Sequence, residues 1–212
     1  MSSDHAQESG LPQELTEEQR DCYQEIANIA MGQAAALLSR LLGVFIKLPI
    51  PRVNLFELAD LNMALQSLDH DEAASAVCQG FAGDGITGEA LIIFNDSNFE
   101  DIAQLMNYSG EQSEAMHVEL LMDVANILIG AFLKGLANQM DLTFSHGHPM
   151  VLGQHKLVRD LLQPSRQPWQ QTLAIEITYS LEDHPVNCDL LLLFTEDSIR
   201  IMNQKVAYLL DD

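Results

Sequence analysis

The sequence is short of basic residues, of cysteine and of long apolar runs. It holds 10 lysines and arginines against 31 aspartates and glutamates, so it lacks the basic patches that bind nucleic acid and anionic membranes. Its cysteines, Cys22, Cys78 and Cys188, have unrelated spacings, which predicts idle thiols in a reducing compartment and no disulfide framework. There is no run of about eighteen apolar residues and no basic start leading into an apolar segment. We therefore expect a cytoplasmic protein with neither a membrane-spanning helix nor a signal peptide.

Familiar catalytic motifs are also absent from the sequence. It contains no GxSxG, HExxH, Walker or CxxC pattern. The glycines between Gly80 and Gly88 are followed by a strand pattern and not by a helix that begins with Lys-Ser or Lys-Thr. They predict a hairpin around Asp84-Gly85 and not a phosphate-binding loop.

What is present is enough apolar sequence for one domain. Hydrophobic residues make up 47% of 212 residues, which suits a single domain made of two halves. Residues 1–13 are polar and predict a flexible acidic arm, and residues 14–212 predict the domain.

The stretch from Asp21 to Pro51 predicts a long helix followed by a short strand. Thr16, with Gln19 three residues later, predicts the helix start, and Gly43 predicts its end. One stripe of the helix is apolar and predicts its buried side, with Ile26, Ala30, Ala34, Leu37, Leu38 and Leu41. A second stripe, at steps of four, three and four residues, holds Asp21, Glu25, Asn28 and Gly32.

This stretch recurs later in the chain. Asn28 and its neighbours match Asn126 and its neighbours, Gly32 matches Gly130, and Pro51 matches Pro149, all at an offset of 98 residues. The strand pattern at 91–94 recurs at 191–194, at an offset of 100. A run of matches at nearly constant offset indicates a duplicated unit, with half-repeats at about 15–110 and 113–211.

The order of elements predicts the fold class. Each half has the pattern helix, strand, helix, strand, strand, helix, with Leu58–Leu68 as the second helix of the first half. In the second half the segment Lys156–Gln170 takes that place and holds a basic cluster whose role stays open. We predict an α+β domain in which two long motif helices pack with antiparallel strands about an approximate two-fold axis, leaving Asn28 and Asn126 accessible to solvent.

The motif residues also resemble those of a known family. Asp or Ser, three residues, Glu, two residues, Asn, twenty-two residues and Pro is the signature of the CheC/CheX/FliY phosphatases of bacterial chemotaxis. Asp21, Glu25, Asn28 and Pro51 fit it in full. The second copy keeps Asn126 and Pro149 but has Glu119 and Asp123 at the first two positions. The chain resembles CheC most, with CheX the near alternative.

The resemblance implies a substrate and a set of site residues. It implies hydrolysis of the aspartyl phosphate of a CheY-type response regulator, which would bring its own Mg²⁺ and a lysine that pairs with Glu25. Asn28 is chemically suited to this task, because a neutral amide can accept a hydrogen bond from a water and donate another. The predicted catalytic residues are Glu25, Asn28, Asp123 and Asn126, with no cofactor or metal of the chain's own. A non-catalytic module that captures the phosphorylated regulator, or a protein such as CheD, is the alternative.

Three further expectations concern single residues. Gly32 and Gly130 predict a close approach of two helices, with space for a partner's backbone as the alternative. His146, His148 and His155 predict exposed histidines and not a metal site, because no carboxylate lies at a useful spacing. The first copy should be the more active, since Asp123 is one methylene shorter than Glu25.

Overall fold

The computed structural model describes residues 14–57, 60, 73–108, 113–161, 171–184 and 186–211. The predicted acidic arm, most of the helix expected at 58–68 and the end of the basic segment lie outside these residues. The helices are α1 (Glu17–Leu42), α2 (Phe99–Leu105), α3 (Glu114–Met140), α4 (Val158–Leu161) and α5 (Glu196–Asp211), with a 3₁₀ turn at Asp96–Asn98. The strands are β1 (Ile46–Lys47), β2 (Arg52–Glu57), β3 (Ala74–Gly83), β4 (Ile86–Asn95), β5 (Ser145–His146), β6 (Met150–Lys156), β7 (Gln171–Leu181) and β8 (Asn187–Phe194).

The ends of α1 follow from local chemistry. The Gln19 amide donates to the Thr16 hydroxyl and the Thr16 amide to the Gln19 side chain, both at 3.1 Å, which forms the predicted capping box. Gly43 adopts φ 70° and donates its amide to the carbonyl of Ser39, which ends the helix in the left-handed conformation that glycine tolerates.

The strands form one antiparallel sheet in which β7, β8, β4 and β3 are neighbours in that order. Both β1 and β2 pair with the outer edge of β7, and both β5 and β6 pair with the outer edge of β3. The turn between β3 and β4 is the predicted Asp84-Gly85 turn, with φ of 49° and 80°. Positive φ at both residues matches the twist of the hairpin, so this prediction is confirmed.

Strand register shows how the two halves are related. Val53 pairs with Ile175, and Val151 pairs with Val77. Val53 corresponds to Val151 and Val77 to Ile175 at the offset of 98 residues, so the two pairs are the same contact in the two halves. In the middle of the sheet Leu91 pairs with Leu191, which places an approximate two-fold axis between β4 and β8. Strand β2 of the first half pairs with β7 of the second half, and β6 of the second half pairs with β3 of the first half. The two halves therefore interlock. The predicted α+β class with a pseudo-two-fold is confirmed.

The two motif helices, α1 and α3, pack against each other, and their buried residues share one core with the sheet. They approach each other closely at Gly135, where a Cβ atom would lie 2.7 Å from the Cα of Ala30. The prediction that Gly32 and Gly130 allow this approach is therefore wrong, since neither would bring a Cβ within 3.4 Å of a described atom. By length and composition α3 could cross a membrane, but most of its apolar window is buried in the core.

The core-facing stripe of α1 also differs from the one that periodicity suggests. Its buried residues run from Tyr23 to Leu42 at three- and four-residue steps. Leu37 and Leu41, which fit the same apolar spacing, are exposed to solvent. The part of α1 that faces α3 and the sheet is thus narrower than its apolar surface.

Candidate active site

The first motif stripe lies on the solvent side of α1. Asp21, Glu25 and Asn28 are all exposed, because Ile26 and Ala27 turn into the core between them. Neither the Glu25 nor the Asn28 side chain forms a hydrogen bond or ion pair with another described residue. The prediction that Asn28 is accessible is confirmed, and its amide is available to an external group.

Pro51 belongs to this site in space as well as in sequence. The side chain of Gln24, next to Glu25, donates a hydrogen bond of 3.0 Å to the carbonyl of Pro51. Pro51 is itself buried, whereas the preceding Ile50 is 78% exposed. The proline thereby anchors the start of β2 beside the turn of α1 that carries Glu25.

The surface beyond Asn28 is open. Gly32 follows Asn28 by one helical turn, and a Cβ atom on it would meet no described atom within 4 Å apart from its chain neighbours and the adjacent backbone of its own helix. The remaining interpretation of Gly32, that it leaves room for a partner's backbone, is compatible with this open surface.

The second motif stripe, on α3, is exposed in the same way, but one of its side chains already has a hydrogen-bond partner. Asp123 and Asn126 are exposed, as predicted for Asn126. The hydroxyl of Tyr108 donates a hydrogen bond of 3.0 Å to Asp123 Oδ2. Partial desolvation, this hydrogen bond and the charges of Asp123 and Glu119 raise the pKa of Tyr108, so it stays protonated and remains a donor at neutral pH.

Tyr108 is a residue that sequence reasoning missed. It follows the short helix α2, and no motif or spacing connects it with Asp123. Only the packing of the α2 end against α3 brings the two side chains together, so a sequence pattern offers no signal for this contact.

The histidines of the second half do not form a common site. His146 lies within hydrogen-bond distance, 2.8 Å, of the buried side chain of Gln79, whereas His155 contacts Asp96 at 2.8 Å elsewhere. In the part of the chain that the structure describes, no three His, Cys, Asp or Glu side chains come together in a way that could hold a metal ion.

Comparison with known proteins finds solved structures of the same fold. No family model matches the sequence. FliY from Thermotoga maritima superposes with a TM-score of 0.66 at 20% identity, covering 92% of this chain and 98% of that one. CheX from Desulfovibrio desulfuricans gives 0.55 at 17% identity, with 80% and 99% covered. The middle domain of FliM from H. pylori gives 0.59 at 10% identity, with 90% and 99% covered.

This chain has the CheC/CheX/FliY fold. The resemblance seen in the motif residues is thereby confirmed as a likeness of structure. Within this CheC-like fold the four predicted site residues divide into two exposed stripes, Glu25 with Asn28 on α1 and Asp123 with Asn126 on α3.

The chemistry available to the CheC-like stripes is limited to charge and hydrogen bonding. A carboxylate and an amide one turn apart can bind a cation and orient a water, but they include no nucleophile such as a serine or cysteine. The two stripes are not equivalent, because Tyr108 donates a hydrogen bond to Asp123, whereas no described residue donates one to the Glu25 side chain.

Proposed function

We propose that this protein is a cytoplasmic phosphatase that hydrolyses the aspartyl phosphate of a CheY-type response regulator in chemotaxis. The observation that supports it best is the pair of Glu25 and Asn28, exposed one turn apart on an open helix surface and without a partner among the described residues. The full family signature, including Pro51 beside Gln24, supports the same reaction.

In this proposal Asn28 places the attacking water. Its Oδ1 accepts a hydrogen bond from the water, and its Nδ2 donates one to a phosphoryl oxygen. The water oxygen attacks phosphorus, the bond between phosphorus and the carboxylate oxygen breaks, the aspartate carboxylate of the regulator is regenerated, and inorganic phosphate leaves with the oxygen and protons of the water. An acyl phosphate needs little further activation, so placing the water is most of the catalytic task.

Glu25 docks the regulator in the same proposal. Its carboxylate receives the lysine of the regulator in a charge-assisted hydrogen bond of roughly 2.7–2.9 Å. The regulator supplies Mg²⁺, and this chain supplies no cofactor or metal. The exposed carboxylate without a partner makes this contact available without breaking another one.

A specific observation also favours the alternative, a binding module that captures a phosphorylated regulator or a protein such as CheD. Ile29 and Ile50, which lie next to the motif residues Asn28 and Pro51 in the chain, are 36% and 78% exposed. Exposed aliphatic side chains beside a polar motif are typical of a docking surface, and docking alone requires no chemistry.

A phosphate-release assay separates the two functions. The regulator is phosphorylated with a small-molecule phosphodonor, and its dephosphorylation is followed with and without the wild-type protein. We expect acceleration by the wild type and none by the double variant Asn28→Ala/Asn126→Ala. Binding of the phosphorylated regulator without acceleration would establish the module and refute the phosphatase.

A further inference from the structure

The second motif surface, which is the exposed stripe of α3 with Asp123 and Asn126, lies beside a polar pair of residues, Gln79 and His146. The first motif surface, the exposed stripe of α1 with Glu25 and Asn28, has no such pair. Gln79 is 1% exposed and contacts His146. At the offset of 98 residues the corresponding residues are Ile177, also 1% exposed, and Leu48. An amide and an imidazole therefore stand where the related site has two aliphatic side chains.

The hydrogen bonds of Gln79 determine which nitrogen of His146 carries the proton. The Gln79 amide nitrogen donates to the carbonyl of Gly147 at 2.7 Å and lies 2.8 Å from His146 Nδ1. An amide nitrogen only donates, so Nδ1 accepts and the proton of the neutral ring is on Nε2.

That Nε2–H group lies at the motif surface of α3. Phe81 pairs with His146 across β3 and β5 and is buried in the core that the sheet shares with the helices. Paired residues point to the same face of a sheet, so the imidazole lies on the helix side. Nε2 is 3.9 Å from the position of a Cβ atom on Gly130, which follows Asn126 by one turn. Neighbouring turns on one helix face are about 5–6 Å apart, so the imidazole edge and the Asn126 amide border the same surface.

A purely structural role does not account for this pair. The Oε1 atom of Gln79 is buried and has no hydrogen-bond partner among the described residues. Burying an unsatisfied amide oxygen lowers stability, and the isoleucine of the related site avoids that loss. The Gln79 side chain is explained if its task is to hold His146 with Nε2–H at the motif stripe of α3.

We infer that His146 is a phosphoryl-binding residue of the second surface, where its Nε2–H donates a hydrogen bond to an oxygen of the regulator's phosphoryl group beside Asn126. This inference rests on the proposed regulator substrate. Tyr108 already occupies Asp123, so the second surface has no unengaged counterpart of Glu25 to receive a lysine. The two surfaces thus differ in what they offer the same partner: the first has an unengaged carboxylate for the lysine, and the second has an imidazole donor for the phosphoryl group.

Binding measurements test this independently of turnover. The first surface is disabled by Glu25→Ala/Asn28→Ala, and the affinity of this variant for a beryllofluoride-loaded CheY-type regulator is measured by calorimetry. Adding His146→Leu, the residue of the first copy, should weaken binding about tenfold, the value of one hydrogen bond to a charged group. His146→Gln keeps an N–H donor and should stay within about threefold. His148→Ile, the matched control, should have no effect.

Two results would overturn the inference. One is unchanged affinity in His146→Leu with its thermal melting transition intact. The other comes from long-range proton–nitrogen spectra, which should show the Nε2-protonated ring in the free protein and a shift of that nitrogen when the loaded regulator is added. A ring protonated on Nδ1, or one that does not respond to the regulator, refutes it. Failure of the phosphate-release assay would refute the phosphatase and leave these binding results unaffected.

Discussion

Replacing Tyr108 with Phe should increase the affinity of the second surface for the regulator. The substitution removes the hydroxyl that donates to Asp123 Oδ2 at 3.0 Å and leaves the ring in place. A lysine that approaches Asp123 Oδ2 must compete with that hydrogen bond. Because Asp123 is exposed, the bond contributes at the usual net value of about 0.5–1.5 kcal/mol, not at the higher value of a buried charged pair. Since 1.4 kcal/mol is a factor of about ten, the KM of this surface should fall roughly 2- to 10-fold.

The assay is steady-state phosphate release in the Asn28→Ala background, where the second surface carries the remaining turnover. The same Tyr108→Phe change in the Asn126→Ala background is the control, and it should leave KM unchanged because Asp123 then borders no functional amide. A raised KM in the first background would show that Tyr108 positions Asp123 for docking. An unchanged KM would show that Asp123 does not contact the partner. Either result refutes the reasoning.

Three further predictions concern the first surface, the metal and the helix contact. Asn28→Ala should lower turnover by about 10²-fold or more with little change in melting temperature. Glu25→Ala should mainly raise KM. A greater loss of turnover in Asn126→Ala than in Asn28→Ala would reverse the ranking of the two surfaces. Protein freed of metal by a chelator should be fully active when Mg²⁺ is added with the regulator, and a stoichiometric zinc or iron whose removal abolishes activity would contradict this. Gly135→Ala should destabilise the fold by about 1–3 kcal/mol in urea unfolding, because its Cβ would lie 2.7 Å from an α1 backbone atom. Gly32→Ala is the matched control and should be neutral or stabilising by up to about 1 kcal/mol, and equal effects of the two substitutions would refute the packing argument.

Local features of the structure were predictable because their causes lie within a few residues. The Thr16 capping box, the Gly43 cap and the Asp84-Gly85 turn each depend on side chains and dihedrals inside a four- or five-residue window. The same holds for the exposure of Asn28, since the helical period separates it from its buried neighbours. The roles of Glu25, Asn28, Asp123 and Asn126 in catalysis stay predictions.

The expectations that failed depended on packing between distant segments. Gly32 was expected to face a second helix, yet the close contact is at Gly135, because the crossing of α1 and α3 decides which turn meets Ala30. The exposure of Leu37 has the same origin, since periodicity identifies an apolar surface but not how wide a neighbour will cover it.

The sequence by itself determined the two long helices, the duplication and the two motif stripes, because helical spacing and a constant offset are properties of the chain alone, but it did not predict β2 and β6. Only the tertiary structure decided which distant side chains contact the second stripe. Tyr108 reaches Asp123 across 15 residues, and Gln79 reaches His146 across 67. Both contacts arise from long-range packing, the second because the halves exchange strands, so that β5 of the second half pairs with β3 of the first. A hydrogen bond between such segments depends on how they pair in space, and the spacing of residues within either segment does not specify that pairing.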